Sequence, residues 1–353
     1  MANAERDKPG HPFGIHRVLD EKIRLPQAAE KLDNTLPIYS NEIAIDVERL
    51  NIDAASFVQM EKETGRNAKA IGEIVLKNCL QRGKQHNEVT GSGGMLIGTI
   101  RQIGSRYKGP LKGKAGERVA SLVSLTLTPL HLNAIKAVNL ETHQIEASGH
   151  AILFESSIAA ALPKDLSEKA VMAAYDVAGA PATVFAHCQK SKNVVVIGAG
   201  GKAGLLCCIA ARKKMGKTGK IIAIEPMPQA AEDLKTLGVC HEILTQDATD
   251  PIAVHSAVER VTRGRMADIV INVASVPDTE MSAILSAHAS AKIIFFSMAT
   301  SFTKVALGAE GIANKSQLIF GNGYYPGHAK FSLDLLRKYP PLRDIFYRRY
   351  VLK

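Results

Sequence analysis

The stretch VVVIGAGGKAGLL, residues 194–206, carries the clearest chemical signal in the chain. Four aliphatic residues run into a glycine turn, which reads as Gly198-x-Gly200 or as Gly198-x-x-Gly201-x-x-Gly204, and apolar helix formers follow. Lys202 and Ala203 lie inside the same turn. Glycines at these positions permit a tight turn and let backbone N–H groups approach a diphosphate, while a helix start adds partial positive charge. The next strand-like segment, KIIAIE, ends at Glu225, about 20 residues on, where a carboxylate can accept both ribose hydroxyls of an adenosine. That carboxylate would repel a 2′-phosphate, so the pair points to NAD rather than NADP. The bland alternatives are a structural glycine turn and a solvated strand end. In open parallel sheets ligands lie across the strand C-termini. This assigns Ala274 and Ser275 of NVAS, and Ser297 and Met298 of SMAT, to the nicotinamide end.

Two kinds of element must hold these residues. In EIAIDVERL, Ile43, Ile45 and Val47 alternate with Glu42, Ala44 and Asp46, the period of a half-buried strand. GMLIGTIRQIG and ERVASLVSLTL share that texture, with Gly104, Gly109, Pro110 and Gly113 in the loop between them. Residues 59–83 are helical in pattern, with Ile71, Ile74, Val75 and Leu80 as the apolar side chains of NAKAIGEIVLKNCL. From about residue 160 the pattern changes to short all-apolar strands alternating with helices. NVVVIG, KIIAIE, HEILT, ADIVINV, AKIIFFS and SQLIFGN are the strands. Such runs indicate a parallel sheet covered on both faces.

The composition excludes several classes. At 353 residues the chain is long for one core, so two domains are expected. No apolar run approaches the roughly 18 residues of a membrane span. The first dozen residues are polar and read as a loose tail rather than a secretion signal, which makes the cytoplasm the expected location. Five cysteines without CxxC spacing argue against a disulfide framework or a cysteine-rich zinc site. The net charge of +10 is locally dense between Lys190 and Lys220 and in YRRYVLK. It lacks an aromatic platform, and Trp is absent, so nucleic acid is not an expected partner.

A β-rich first half followed by this glycine-turn unit resembles the medium-chain dehydrogenase/reductase superfamily, with KGKAGERVA and LPKDLSEKAVMAA as further points of likeness. The resemblance implies an α/β chain: a GroES-like β-rich catalytic domain over 1–158, completed by 326–353, and a Rossmann doubly wound parallel-sheet domain over 159–325. The zinc enzymes of that superfamily carry Cys, His and Glu where this chain has Asp53 and the GSG of Gly91, Ser92 and Gly93. A catalytic zinc needs three protein ligands and an open position, so no metal is expected. LPQAAEKLDNT, IYSNEIAIDVERLNIDAASF, RGKQHNEVTGSGGMLIGTI and GNGYYPGHA resemble a zinc-free branch that oxidatively deaminates a diamino acid with NAD⁺. Glu88 stands where that branch is expected to carry proline. In the superfamily's fold the last strand of the cofactor sheet is an edge. Here it is SQLIFGN, and Leu318, Ile319 and Phe320 imply a homodimer that continues the sheet.

An amine donates hydride only when neutral, and a free alkyl ammonium has a pKa of about 10. The site therefore needs a base, a carboxylate for the second ammonium, and an activated water for the iminium. The first half supplies Tyr39, Ser40, Asn41 and Glu42, then Asn51, Asp53 and Ser56, then His86, Asn87, Thr90 and Ser92. Asp53 or Glu42 is expected to hold the ammonium groups, with His86 as proton carrier and Asp176 as a further carboxylate. Competing roles are an outward strand residue for Glu42, a helix cap for Asp53 and a backbone-bonded loop histidine for His86. Tyr324 and His328 in GYYPGH belong either to the site's mouth or to a turn. The other functions consistent with the sequence are a zinc-free quinone or enoyl-thioester reductase and a non-enzymatic RNA-binding relative.

Overall fold

The computed structural model describes residues 5–22, 25–188 and 193–352, and the chain divides into two compact units. The first runs to Met172 and the second spans Ala173–Leu352.

The first unit is built on a six-stranded antiparallel sheet. Its elements are β1 (Glu5–Arg6), β2 (Ile38–Tyr39), β3 (Ile43–Asn51), α1 (Ala54–Thr64), α2 (Ala68–Arg82), β4 (Met95–Ile103), β5 (Arg118–Ser121), β6 (Leu130–Asn139), β7 (Gln144–Leu153) and β8 (Ala159–Ala161). The sheet order is β6-β7-β3-β4-β5-β8, while β1 and β2 form a separate parallel pair. β3 lies between β4 and β7, and its Ile43, Ile45 and Val47 enter the core as the alternation required. The opposite face is not open throughout, because Ala44 packs with Ile38 and Ile152.

Three expectations for this unit are corrected. The helical stretch is two helices, broken where Gly65 and Arg66 take left-handed backbone. On α2 the core side chains include Ile71, Val75 and Cys79, and Leu80 faces solvent. The supposed N-terminal tail is tied down from residue 5 onward: β1 pairs with β2, and Ser105 N–H donates to Glu5 at 3.0 Å. Residues 1–4 lie outside the described residues. ERVASLVSLTL supplies only the short β5, after which the Ser124 hydroxyl caps a helical turn at Leu125–Leu127.

The second unit begins within α3 (Glu168–Tyr175) and contains α4 (Gly179–His187), β9 (Asn193–Ile197), α5 (Lys202–Met215), β10 (Lys220–Ile224), α6 (Pro228–Leu237), β11 (Glu242–Leu244), α7 (Pro251–Thr262), β12 (Ala267–Asn272), α8 (Glu280–Ser286), β13 (Ala287–Phe295), α9 (Phe302–Gly311), β14 (Gln317–Phe320), α10 (His328–Lys338) and α11 (Pro340–Tyr350). All strands are parallel in the order β11-β10-β9-β12-β13-β14, a doubly wound sheet whose strand order reverses beside β9. Cys207 and Cys208 are buried on α5 as small core side chains. The division also corrects the expected boundaries, 158/159 and the return of 326–353 to the first unit. α10 and α11 stay with the parallel sheet because their apolar faces are covered there: Phe331 packs on Phe185 at 5.1 Å, and the Ser332 hydroxyl donates to the Ala178 carbonyl.

Candidate active site

In the second unit β9 delivers the chain into the glycine turn. Gly198 has φ +75°, and a Cβ there would lie 2.7 Å from Ala274 Cα at the end of β12. The N–H groups of Gly198 and Ala199 both donate to the Ile224 carbonyl, at 3.0 and 3.2 Å. At Gly200 a Cβ would lie 2.6 Å from Ala230 Cβ on α6 and 2.8 Å from Glu225 Oε2, so only glycine fits. The N-cap of α5 is Gly201, which has no side chain to compete with an anionic ligand for the helix start. A diphosphate fits that arrangement.

Glu225 is buried at the end of β10. Its Oε2 accepts the Gly200 N–H and its Oε1 the Met227 N–H, both at 3.0 Å. Each oxygen keeps a second lone pair, so the carboxylate remains able to accept from a ribose. Ala274 is buried at the end of β12, Ser275 is exposed, and Met298 is largely exposed beyond β13. The Ser297 hydroxyl accepts the Ala299 N–H at 3.1 Å, which shapes that turn. Asp176 is paired with Lys202, the first residue of α5, at 2.5 Å with both side chains mostly buried. Its charge is thus matched by its own chain. Tyr324 stands edge-on to His328 at 5.3 Å, and His328 is the buried first residue of α10, where burial holds its imidazole below the ordinary value.

In the first unit the candidate residues separate into two groups at the two ends of β3. At the start of β3, Glu42 is 1% exposed and enclosed. Arg17 Nε and Nη2 donate to its two oxygens at 2.8 and 2.6 Å, His16 Nε2 lies 2.8 Å from Oε1, and the Tyr39 N–H donates to Oε2 at 2.8 Å. Burial alone would raise the Glu42 carboxyl, but hydrogen bonds from Arg17 and His16 outweigh it and hold the group below its ordinary value. The Tyr39 ring is covered by the Arg6 and Arg17 guanidiniums at 4.5 and 5.1 Å. Asn41 binds both backbone polar groups of Gly10, and Ser40 is buried. This group fastens the N-terminal segment to the sheet, and both Glu42 oxygens are engaged by this chain's own donors.

At the far end of β3, Asp53 caps α1, accepting the Ser56 N–H at 3.0 Å and the Ser56 hydroxyl at 2.6 Å. Ser56 Oγ is 2.5 Å from Thr90 Oγ1, which accepts the Ser92 N–H at 3.3 Å. Asn87 Oδ1 accepts the N–H groups of Val89 and Thr90, and the Ser92 carbonyl accepts the Asn87 N–H. His86 Nδ1 meets Thr126 Oγ1 at 2.5 Å. Burial, with the Lys84 and Arg82 cations behind it, holds the His86 imidazole below its ordinary value, so it is neutral at pH 7. Its partner is a hydroxyl rather than backbone, and Asn51 is buried just before this group. Asp53 does cap a helix, and its half-buried carboxylate is linked through Ser56 and Thr90 to the loop that carries His86, Asn87 and Ser92. Glu88 forms an ion pair with Arg82 across that loop. Among the described residues no group of three His, Cys, Asp or Glu side chains could hold a metal ion.

The family profile of the L-erythro-3,5-diaminohexanoate dehydrogenase N-terminal domain matches residues 16–163. A protein of Acetoanaerobium sticklandii named L-erythro-3,5-diaminohexanoate dehydrogenase is 43% identical over 97% of this chain and 99% of its own length. One of Fusobacterium nucleatum with the same name is 44% identical over 98% of this chain and 100% of its own. The chain belongs to the L-erythro-3,5-diaminohexanoate dehydrogenase family. It is an oxidoreductase, and its fold is that of the medium-chain dehydrogenases and reductases. Escherichia coli quinone oxidoreductase complexed with NADPH superposes with a TM-score of 0.52 at 16% identity, over 89% of this chain and 82% of that one. At that identity the likeness concerns fold alone. Sequence reasoning missed Thr126, Arg17 and His16 as members of the two groups. None of them sits on a periodic face or in a recognisable spacing, so no local signal marked them.

Proposed function

We propose that this dehydrogenase converts L-erythro-3,5-diaminohexanoate, NAD⁺ and water to 5-amino-3-oxohexanoate, ammonium, NADH and a proton, a step of lysine fermentation. The near full-length identity to two proteins of that name carries the reading. The cofactor, bound over the glycine turn, supplies the hydride acceptor, and Glu225 favours NAD over NADP. The α5 start, whose N-cap is a glycine, supports the diphosphate assignment. His86 Nε2 takes a proton from the substrate ammonium at C3, with Nδ1 steadied by Thr126. A neutral imidazole is the form that can do so. Asp53 meets the substrate's second ammonium, and Thr90 and Ser92 contribute hydroxyls. The imidazole passes that proton to solvent, the proton counted in the products, and once neutral again it takes a proton from the water that attacks the iminium carbon and returns it to the departing amine.

The protein acts as a homodimer joined at β14, a reading supported by the exposed Phe302 and the half-exposed Phe320 at that sheet edge. No helix among the described residues is long and apolar enough to cross a membrane. The test is NADH formation by the purified protein on the diamine, against lysine and simple amino acids. Activity confined to quinones or enoyl thioesters with NADPH would overturn the reading.

A further inference from the structure

The last helix reaches the cofactor turn. Arg349 Nη1 donates to the Gly200 carbonyl at 2.6 Å. The same guanidinium binds Asp233 on α6, with Nε to Oδ2 at 2.7 Å and a second contact through Nη2. Arg348 pairs with the other oxygen of Asp233, which is itself buried. Gly200 is therefore gripped at both ends: its N–H by Glu225, its carbonyl by Arg349. We infer that Arg349 is a positioning residue for nucleotide binding, which makes α11 part of the cofactor site through a clasp of Arg349, Asp233 and Gly200.

The physical case has three parts. Glycine loses more freedom on ordering than any other residue. A turn of four glycines in seven residues (198–204) that is mobile before binding loses that freedom when the ligand arrives. A charge-assisted hydrogen bond to the middle of the turn removes the cost in advance. Asp233 is what allows an arginine to serve here, because it neutralises a mostly buried guanidinium and fixes its plane. Lysine can match the charge of Asp233 but cannot also reach Gly200 with a planar fork.

The inference rests on the nucleotide reading of the turn, and the experiment separates the two. Binding of NAD⁺ and of ADP-ribose is measured by calorimetry on wild type, Arg349→Lys, Arg349→Ala and Arg348→Ala, with melting curves for each. Arg349→Lys keeps the ion pair that docks α11 and loses the Gly200 contact, so it carries the test if Arg349→Ala does not fold. Both Arg349 variants are expected to weaken both ligands about tenfold or more. Arg348→Ala should change them less than about threefold, since its guanidinium pairs with Asp233 and it is Arg349 that binds Gly200. The KM for NAD⁺ should rise with the dissociation constant while kcat at saturation stays close to wild type. Hydrogen exchange in the ligand-free protein should quicken at residues 198–201 in Arg349→Lys. Unchanged affinity and unchanged exchange in a folded Arg349→Lys would overturn the inference, as would kcat falling in step with affinity. A wild type that binds neither ligand would overturn the nucleotide reading, and the exchange measurement would still decide whether Arg349 orders the turn.

Discussion

The two ends of β3 carry similar chemistry and opposite roles. Both have a carboxylate and a histidine, and both are rich in hydroxyl and amide side chains. At Glu42 the carboxylate is engaged internally: two guanidinium nitrogens, an imidazole and a backbone N–H converge on a group that water does not reach. At Asp53 the carboxylate accepts from Ser56 and remains half-buried, linked through Ser56 and Thr90 to the loop that carries a neutral imidazole. A polar cluster closed by its own partners holds a fold together, while one with remaining capacity can hold a ligand. Residue type does not distinguish them.

Breaking the closed cluster should give the largest effect. Glu42→Gln leaves the fully buried Arg17 with the more distant Asp33, at 3.4 Å, as counter-charge, and removing one partner of a buried pair destabilises by up to about 3–5 kcal/mol. Denaturant unfolding reads this, and kcat/KM of the molecules that remain folded should stay near wild type. A stable but inactive Glu42→Gln would place Glu42 in catalysis after all. The open cluster should respond the other way round. Asparagine caps helices as well as aspartate does, so Asp53→Asn should unfold close to wild type while kcat/KM on the diamine falls about 10²-fold. If kinetics are unchanged, the acidic grip lies elsewhere, and Asp176 is next despite its pairing with Lys202.

Smaller effects sharpen the contrast. Glu225→Ser should weaken NAD⁺ about tenfold and narrow its preference over NADP⁺, since the ribose loses one acceptor. A wild type that already uses both cofactors equally would contradict the assignment. The two clusters should also differ in acid. His86 titrates below its ordinary value of 6.5 when folded, so the unfolded chain binds the extra proton and stability declines as pH falls below 6.5. Glu42 is depressed from 4.5, so its contribution persists down to that range and is lost only as pH falls through its lower folded value. His86→Gln should lessen the first decline, to which His150 and His328 also contribute, and leave the second, as seen in melting curves across pH. Exhaustive chelation should leave activity unchanged, and zinc-restored loss would show that a metal site had been overlooked.

The parallel sheet was legible in the sequence because runs such as VVVI and KIIAI admit few other placements, and the glycine turn marked the strand that opens it. The antiparallel unit was legible only in part. β7 and β8 take their places by pairing with β3 and β5, far away in sequence, and Leu80 misled because its position fits the helical period while Cys79 fills the core. The candidate site was half legible for the same reason. Asp53, Thr90, Ser92 and His86 stood out by type, but so did Glu42, and only the approach of Arg17 and His16, 25 and 26 residues away in sequence, decides between them. Arg349 was visible merely as charge in YRRYVLK, whose final residue lies outside those described. Lys190 in the other basic stretch also lies outside them.

β3 sets how far apart these two clusters are. It has nine residues, each step rising about 3.3 Å, so its ends are separated by roughly 25 Å even before Glu42 and Asp53 are added. Salt at physiological strength screens charges over about 8 Å, and the strand is held on both sides by ladder partners. Changes made at one end should therefore combine additively with changes at the other. Stabilising substitutions around Arg17 and specificity changes around Asp53 can be developed separately and joined in one chain without mutual interference.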